Sequence, residues 1–229
     1  MIIGAVYRQS GWQNAMSKPV LPPVRLVVMA KAPLPGYAKT RLIPALGESG
    51  AAVLAERLLR NTLAEAVKAG LGTVELHVAP DSQHSFWQSF ELPPEIKLYS
   101  QSEGSLGHRL WEAATSSRIE GQGLFLLGTD CPALNAERLR VAAVALANTD
   151  SVMYPAKDGG YTLLGLKRLA PRLFEDICWS TEVVAQQTLD RLQECDMDCQ
   201  QLEVLADIDD PEDLQFLPKT LSDTLVVSG

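Results

Sequence analysis

Residues 123–130 read GLFLLGTD, a short apolar run that ends in Gly128, Thr129 and the acid Asp130. An uninterrupted apolar run of this length is typical of a strand buried on both faces of a parallel sheet. Ligands of such sheets bind at the carboxyl ends of the strands. Asp130 therefore stands where a functional carboxylate is expected and where a divalent cation could be held. An aspartate that only shapes a loop or caps a helix would explain it equally well.

Strand and helix patterns alternate on both sides of this segment. The order predicts a single α/β domain with a mostly parallel central sheet and helices on both faces. We assign that domain to residues 24–217, between a flexible N-terminal extension at 1–23 and a C-terminal tail at 218–229. Strands are predicted at 24–31, 73–79, 96–99, 123–127, 151–155, 161–166 and 202–205, and helices at 49–69, 81–90, 106–117, 135–147, 181–192 and from Pro211 onward.

Composition narrows the class of protein. The formal net charge of -8 argues against a nucleic-acid partner, because such partners select a basic face. No apolar run is long enough for a membrane span, and the start of the chain lacks the pattern of a signal peptide. The four cysteines match no zinc or redox spacing, so we expect reduced thiols and a cytoplasmic protein. A homo-oligomer is compatible with the sequence.

The loop after the first predicted strand is rich in cations. Residues 30–42, AKAPLPGYAKTRL, contain Lys31, Lys39 and Arg41, which could surround a diphosphate or triphosphate. Gly36 would let the backbone approach a ligand closely. A solvated basic loop explains the same residues without function. The segment is not a Walker phosphate loop, because the required glycine and lysine spacing is absent.

Two further segments carry acids after predicted strands. In residues 154–161, YPAKDGGY, the stretch from Asp158 to Gly160 is first of all a turn signal, but Asp158 could face an acceptor. Gly159 and Gly160 would then leave room for a sugar or a phosphate. In residues 206–214, ADIDDPEDL, helix capping needs only one acid. Asp207 and Asp209 lie two apart, so an extended chain projects both to one side, where a counter-cation would relieve their repulsion.

Six ordered motifs resemble a bacterial family of glycosyltransferase-A-like proteins, described as uncharacterised or as glycosyltransferases of the arsenosugar-biosynthesis type. Phospholactate guanylyltransferases and, more distantly, molybdenum-cofactor guanylyltransferases are related to it. The resemblance covers about residues 25–217. It rests on AKAPLPGYAKTRL (30–42), QSEGSLGHRL (101–110), LGTDCPAL (127–134), PAKDGGYTLLGL (155–166), WST (179–181) and DIDDPEDL (207–214).

The resemblance implies a nucleotide-diphospho-sugar transferase fold and a Mg²⁺ or Mn²⁺ cofactor. It implies that Asp130 and Asp209 hold the metal, with Asp207 as a further ligand. Asp130, Asp158 and Lys39 are the candidate catalytic residues. The candidate nucleotide-binding and phosphate-binding residues are Lys31, Gly36, Lys39, Arg41, Gly104, Leu106, Gly107 and Arg109, and those on the acceptor side are Gly159, Gly160, Tyr161, Trp179 and Ser180.

Three functions are compatible with these residues. The first is a glycosyltransferase that uses a nucleotide-sugar and a small-molecule acceptor. The second is a nucleotidyltransferase that moves NMP from an NTP to a small phosphorylated acceptor and releases pyrophosphate. The third is a non-catalytic nucleotide-binding module. Related nucleotidyltransferases carry a G-G-x-G-x-R loop after strand one, whereas this chain has Pro-Leu-Pro-Gly at 33–36, which favours glycosyl transfer.

Overall fold

A computed structural model describes residues 23–116 and 121–223. The predicted N-terminal extension lies outside this range except for Pro23, as do the last six residues of the predicted tail. Within the described ranges, seven strands form one sheet: β1 (Val24–Lys31), β2 (Val74–Ala79), β3 (Ile96–Ser100), β4 (Gly123–Leu127), β5 (Ser151–Pro155), β6 (Tyr161–Leu166) and β7 (Cys199–Gln201).

The strand order is β3-β2-β1-β4-β6-β5-β7. Only β6 runs against its two neighbours, β4 and β5, and the other described pairings are parallel. The central pair β1–β4 aligns Val28 with Leu127, so residues 128–130 leave the sheet beside the end of β1. This register brings two of the predicted functional segments to the same edge of the sheet.

Helices cover both faces of the sheet, as predicted. Leu26 and Val28 of β1 pack on one face among residues of two long helices, whereas Val27 points to the other face. The helices are α1 (Ile43–Ala69), α2 (Ser85–Ser89), α3 (Leu106–Thr115), α4 (Ala136–Asn148), α5 (Val184–Glu194) and α6 (Lys219–Ser222). α1 and α4 lie on the first face, and α3 and α5 lie on the second.

Three predicted elements differ most from the structure. α1 includes an extra turn before Gly47, where the backbone leaves helical geometry, so the predicted start at residue 49 marks the helix after this kink. α2 spans Ser85–Ser89 rather than 81–90, because His84 caps it by accepting from Phe86 N. The strand expected at 202–205 is wrong: the ladder ends at Gln201, and Leu205 contributes only an isolated bridge to Ala156.

The first part of the predicted tail folds back onto α1. The backbone oxygen of Leu221 accepts a hydrogen bond of 2.9 Å from Arg57 Nη1, and Leu221 packs against the small apolar cluster around Leu54 and Leu58. In the described part of the chain, no helix combines the length and apolar character needed to cross a membrane.

Candidate functional site

The acidic segment 206–210 is held against the end of β4 by the side chain of Ile208. Ile208 is fully buried in the cluster that contains Leu42, Leu54 and Leu58, and Ile208 N donates a 2.9 Å hydrogen bond to Asp130 O. Alternation along the chain then turns the side chains on either side of Ile208 away from that cluster. A buried isoleucine thus places Asp209 beside Asp130, although these acids are far apart in sequence.

Lys39 bridges the two aspartates. Its Nζ lies 2.5 Å from Asp130 Oδ1 and 2.7 Å from Asp209 Oδ1, and its side chain is only 7% exposed. Burial alone would lower the pKa of Lys39, but the two carboxylates outweigh it and raise the pKa above the ordinary value. The two carboxylates expected to meet at a metal ion therefore meet at the ammonium group of Lys39.

A different set of carboxylates has the spacing of a metal site. Asp158, Asp207 and Asp209 each offer an oxygen, and these oxygens lie within 4.8 Å of one another. Burial, followed by the nearby charge of Asp158, raises the pKa of Asp207 to about 6. Three converging carboxylates suit a hard divalent cation, which prefers oxygen ligands. The structure thus adds Asp158, expected on the acceptor side, to the acids that could hold a metal, and leaves Asp130 outside this triplet.

Helix capping accounts for Asp213, which follows the acidic segment. The carboxylate Oδ2 of Asp213 accepts hydrogen bonds from Asp210 N at 2.8 Å and from Asp209 N at 3.1 Å. These bonds satisfy backbone donors at the start of the short 3₁₀ helix Pro211–Phe216. Asp207 and Asp209 are not needed for capping, so their carboxylates stay available to the site.

The cations of the first loop line a cavity of about 420 Å³, which we call the cationic cavity. Arg109 is held in its wall by two hydrogen bonds, from Nε to Gly104 O at 3.1 Å and from Nη1 to Gln101 Oε1 at 3.3 Å. Such a set of fixed cations suits a diphosphate. The sequence analysis did not single out Gln101, although it lies within the quoted motif 101–110. The cationic residues of this wall are Lys31, Lys39, Arg41 and Arg109.

A second cavity of about 470 Å³, the acidic cavity, adjoins the first. Asp130, Asp209 and Arg41 line both, so they form the border between the two. Leu106, which also lines both, lies at the start of α3. Five predicted residues line the acidic cavity and not the cationic one: Asp158, Gly160, Tyr161, Trp179 and Asp207. The sequence analysis missed Leu110, Leu126 and Glu182, because a leucine pattern or a lone glutamate gives no sign that it borders a cavity.

Four predicted glycines, Gly36, Gly104, Gly107 and Gly159, line neither cavity. Gly36 is exposed in the first loop, and Gly104 lies against the ring of His108. Gly107 has no room for a side chain, because an added Cβ would overlap Phe174 O and approach Trp179 Nε1 to 2.8 Å. Gly107 therefore shapes the site indirectly, by allowing Trp179 to pack on α3. Ser180, expected on the acceptor side, lines both cavities.

Gly159 packs against the backbone of Glu182, which lines the acidic cavity. Its φ is +87°, and an added Cβ would overlap the backbone oxygen of Glu182. Gly159 O also accepts a 2.9 Å hydrogen bond from Ala185 N at the start of α5. The turn that follows β5 thus packs backbone to backbone on the segment that carries Glu182. This close approach, rather than room for a ligand, explains the glycine.

Gly159→Ala should lower the free energy of unfolding by about 3 kcal/mol, because the left-handed backbone and the overlap both add strain. Urea unfolding measures the change. Gly70→Ala is the matched control: its φ is +65° but an added Cβ meets nothing within 4 Å, so the cost should be only about 1 kcal/mol. Equal losses in the two variants would show that the packing on Glu182 contributes nothing.

Comparison with known proteins places the chain among bacterial proteins of one family. The model of that family, described as "Uncharacterized protein conserved in bacteria (DUF2064)", matches residues 62–181. A comparison with curated proteins gives no match. The matched residues include most of the central sheet and the segments around Asp130 and Asp158, whereas the cationic loop 30–42 and the acidic segment 206–210 lie outside the match.

Solved structures show the same architecture. A provisionally named nucleotide-diphospho-sugar transferase from Desulfovibrio desulfuricans G20 superposes with a TM-score of 0.78 at 26% identity over 88% of each chain. Rv0371c from Mycobacterium tuberculosis H37Rv superposes with a TM-score of 0.55 at 16% identity over 86% of this chain and 97% of its own. Rv0371c has also been solved as a complex with manganese. CMP:2-keto-3-deoxy-manno-octonic acid synthetase complexed with CTP superposes with a TM-score of 0.54 at 13% identity. The match covers 85% of this chain and 96% of the synthetase chain. The fold is therefore that of the nucleotide-diphospho-sugar transferases, as the motifs predicted.

Proposed function

Because the chain belongs to this family of proteins conserved in bacteria and has the nucleotide-diphospho-sugar transferase fold, we propose that it is a metal-dependent glycosyltransferase that uses a nucleotide-sugar. The observation that carries the proposal is the pair of adjoining cavities with Asp130, Asp209 and Arg41 on their border. A donor diphosphate in the cationic cavity would bring its sugar to this border, facing an acceptor in the acidic cavity.

The cationic cavity would bind the diphosphate through charge. Lys31 and Arg109 offer side-chain cations, and Lys39 and Arg41, which pair with aspartates, add positive charge beside the border. Arg109 is already oriented by Gln101, so little side-chain freedom is lost on binding. These cations would stabilise the negative charge that develops on the leaving diphosphate.

The carboxylates of the border would hold the metal. Asp207 and Asp209 are the residues we assign to it, flanked by Asp130 and Asp158. When bound, Mg²⁺ or Mn²⁺ would neutralise charge on the leaving diphosphate as a Lewis acid. The donor set supports this assignment, because it consists of carboxylate oxygens only and one of them, on Asp207, has a pKa raised to about 6 by burial and by the neighbouring Asp158.

The reaction would join an acceptor oxygen to the sugar. The acceptor hydroxyl forms a bond to the anomeric carbon, while the bond from that carbon to the diphosphate oxygen breaks and its electron pair leaves with the nucleoside diphosphate. The hydroxyl proton passes to a carboxylate, for which Asp158 is our candidate. One oxygen of Asp158 accepts a 2.8 Å hydrogen bond from Gly160 N, which orients the group at the cavity wall.

The released product tests the proposal. The protein is incubated with Mn²⁺ and panels of nucleotide-sugars and NTPs, and we expect nucleoside diphosphate from a nucleotide-sugar. Release of pyrophosphate from an NTP would contradict glycosyl transfer and support the nucleotidyltransferase. A thermal-shift series without acceptor gives a second measurement, in which a nucleotide-sugar with Mn²⁺ should raise the melting temperature more than an NTP does. If no nucleotide raises it, a non-nucleotide role is favoured.

Asp130→Asn should lower turnover about 100-fold or more, because Lys39 loses one of its two charged partners and the border loses a carboxylate. Steady-state release of nucleoside diphosphate measures the change. Circular dichroism and the urea midpoint control for loss of fold. Full activity in a folded Asp130→Asn protein would contradict any role of Asp130 in the chemistry.

A further inference from the structure

The two adjoining cavities differ in the charge that they present. Four basic residues line the cationic cavity. Among the residues that the structure describes, Arg41 is the only basic residue in the wall of the acidic cavity. Asp158, Glu182 and Asp207 line the acidic cavity and not the cationic one. The charge of the lining residues therefore changes sign across the border.

Arg41 is already paired. Its Nη1 lies 2.9 Å from Asp210 Oδ2, and its Nη2 lies 3.6 Å from Asp209 Oδ2. A phosphate group in the acidic cavity would have to displace these partners while it faced the carboxylates of the wall. Like charges placed together disfavour binding. The proposed metal offsets the charge of Asp207 and Asp209, but Asp158 and Glu182 also line the cavity. Their charge selects against an acceptor that carries a phosphate.

The inner wall of the same cavity is apolar. Leu110 and Leu126 line it and belong to the core between α3 and the sheet. Trp179 packs against this core, and its indole is pressed on Gly107, where a side chain would overlap it. Because α3 and the sheet hold these groups in place, the wall offers a preformed surface on which an apolar part of a ligand can be buried.

From this combination we infer that the acceptor is a hydroxyl compound without a phosphate or other anionic group, and that it carries an apolar portion. The inference rests on the proposed glycosyl transfer and names its acceptor class. Asp158 and Glu182 are the specificity-determining acids, which repel anionic acceptors. Trp179, backed by the buried Leu110 and Leu126, binds the apolar portion. A phosphorylated acceptor, which nucleotidyl transfer of the predicted type requires, does not fit this cavity.

Binding of three matched probes tests the inference without turnover. Hexyl glucoside, its 6-amino-6-deoxy analogue and its 6-phosphate are titrated into the full protein by calorimetry, with Mn²⁺ and a nucleoside diphosphate present. We expect the neutral and cationic probes to bind at least about tenfold more tightly than the phosphate. Equal or tighter binding of the 6-phosphate would overturn the inference, and so would the absence of binding by all three.

A charge reversal makes the test specific to the cavity. Glu182→Lys should tighten binding of the 6-phosphate and weaken binding of the 6-amino probe, each about fivefold or more. Glu203→Lys is the matched control, because Glu203 is an exposed acid that lines neither cavity and pairs with Arg138. An unchanged order of probe affinities in Glu182→Lys, or the same reversal in Glu203→Lys, would overturn the assignment to this cavity.

The two proposals fail in different experiments. If glycosyl transfer is wrong, no nucleotide-sugar releases nucleoside diphosphate, yet the order of probe affinities and its reversal by Glu182→Lys still hold. If the acceptor class is wrong, nucleoside diphosphate is released but fastest with the 6-phosphate acceptor. We expect the neutral hexyl glucoside to accelerate release at least about tenfold more than its 6-phosphate does.

Discussion

Replacing Asp209 by asparagine should lower kcat/KM about 10³-fold, the largest effect on activity that we expect from a single substitution. Asp209 contacts Lys39 at 2.7 Å and Arg41 at 3.6 Å, and it belongs to the triplet with Asp158 and Asp207. The substitution removes the negative charge from both ion pairs and from the triplet, while the side chain keeps its size. The rate of nucleoside diphosphate release from a nucleotide-sugar, with Mn²⁺ varied, measures the effect.

Asp210→Asn is the matched control for Asp209→Asn. Asp210 is the next residue and pairs with Arg41 at 2.9 Å, but it lies outside the carboxylate triplet. Its pairing is exposed to solvent, so its loss should change kcat/KM less than about threefold. Both variants should unfold at nearly the wild-type urea concentration. A loss in Asp210→Asn as large as that in Asp209→Asn would show that the effect comes from the loop and not from the site.

Glu75→Gln should lower the free energy of unfolding by about 3–5 kcal/mol, because it leaves a buried guanidinium group without a countercharge. Glu75 is 1% exposed and Arg25 is 3% exposed. Glu75 Oε2 accepts a 3.0 Å hydrogen bond from Arg25 Nη1 and lies 3.2 Å from His77 Nε2. Arg25 also donates to Ala114 O, so its head group is held inside the protein. Urea unfolding measures the loss.

Glu203→Gln removes an ion pair of similar length at the surface. Glu203 lies 2.8 Å from Arg138 Nε, and its side chain is 57% exposed, so water replaces the lost partner. The urea midpoint of the Glu203→Gln protein should stay close to that of the wild type. If Glu75→Gln is equally neutral, the buried pair does not stabilise the sheet. Activity of the Glu75→Gln protein below its unfolding range should be unchanged, because Glu75 lines neither cavity.

Local sequence patterns were sufficient for most of the fold. The apolar runs at 24–31 and 123–127 correspond to the central strands β1 and β4, because burial on both faces selects apolar residues at every position. The prediction of a strand at 202–205 was wrong. That segment runs beside β5 through single hydrogen bonds from Leu202 N and Leu205 N, and no apolar pattern distinguishes such a segment from a regular strand.

The sequence also located the functional edge of the sheet. Loops that follow parallel strands must emerge at one edge, so Lys39 and Asp130 could be placed near each other from their positions after two predicted strands. The pair Asp207 and Asp209 was predicted from the alternation of an extended chain, and both acids belong to the carboxylate triplet. Their roles in metal binding and catalysis remain predictions that the variants above test.

Only the tertiary structure decided how these residues are paired. The burial of Ile208 and its hydrogen bond to Asp130 O bring the acidic segment to β4, and Lys39 then lies between Asp130 and Asp209. The packing of Gly159 on the backbone of Glu182 likewise joins the turn after β5 to a segment that lines the acidic cavity. Such contacts join segments that are distant in sequence, so they depend on core packing and strand register, which no local pattern encodes.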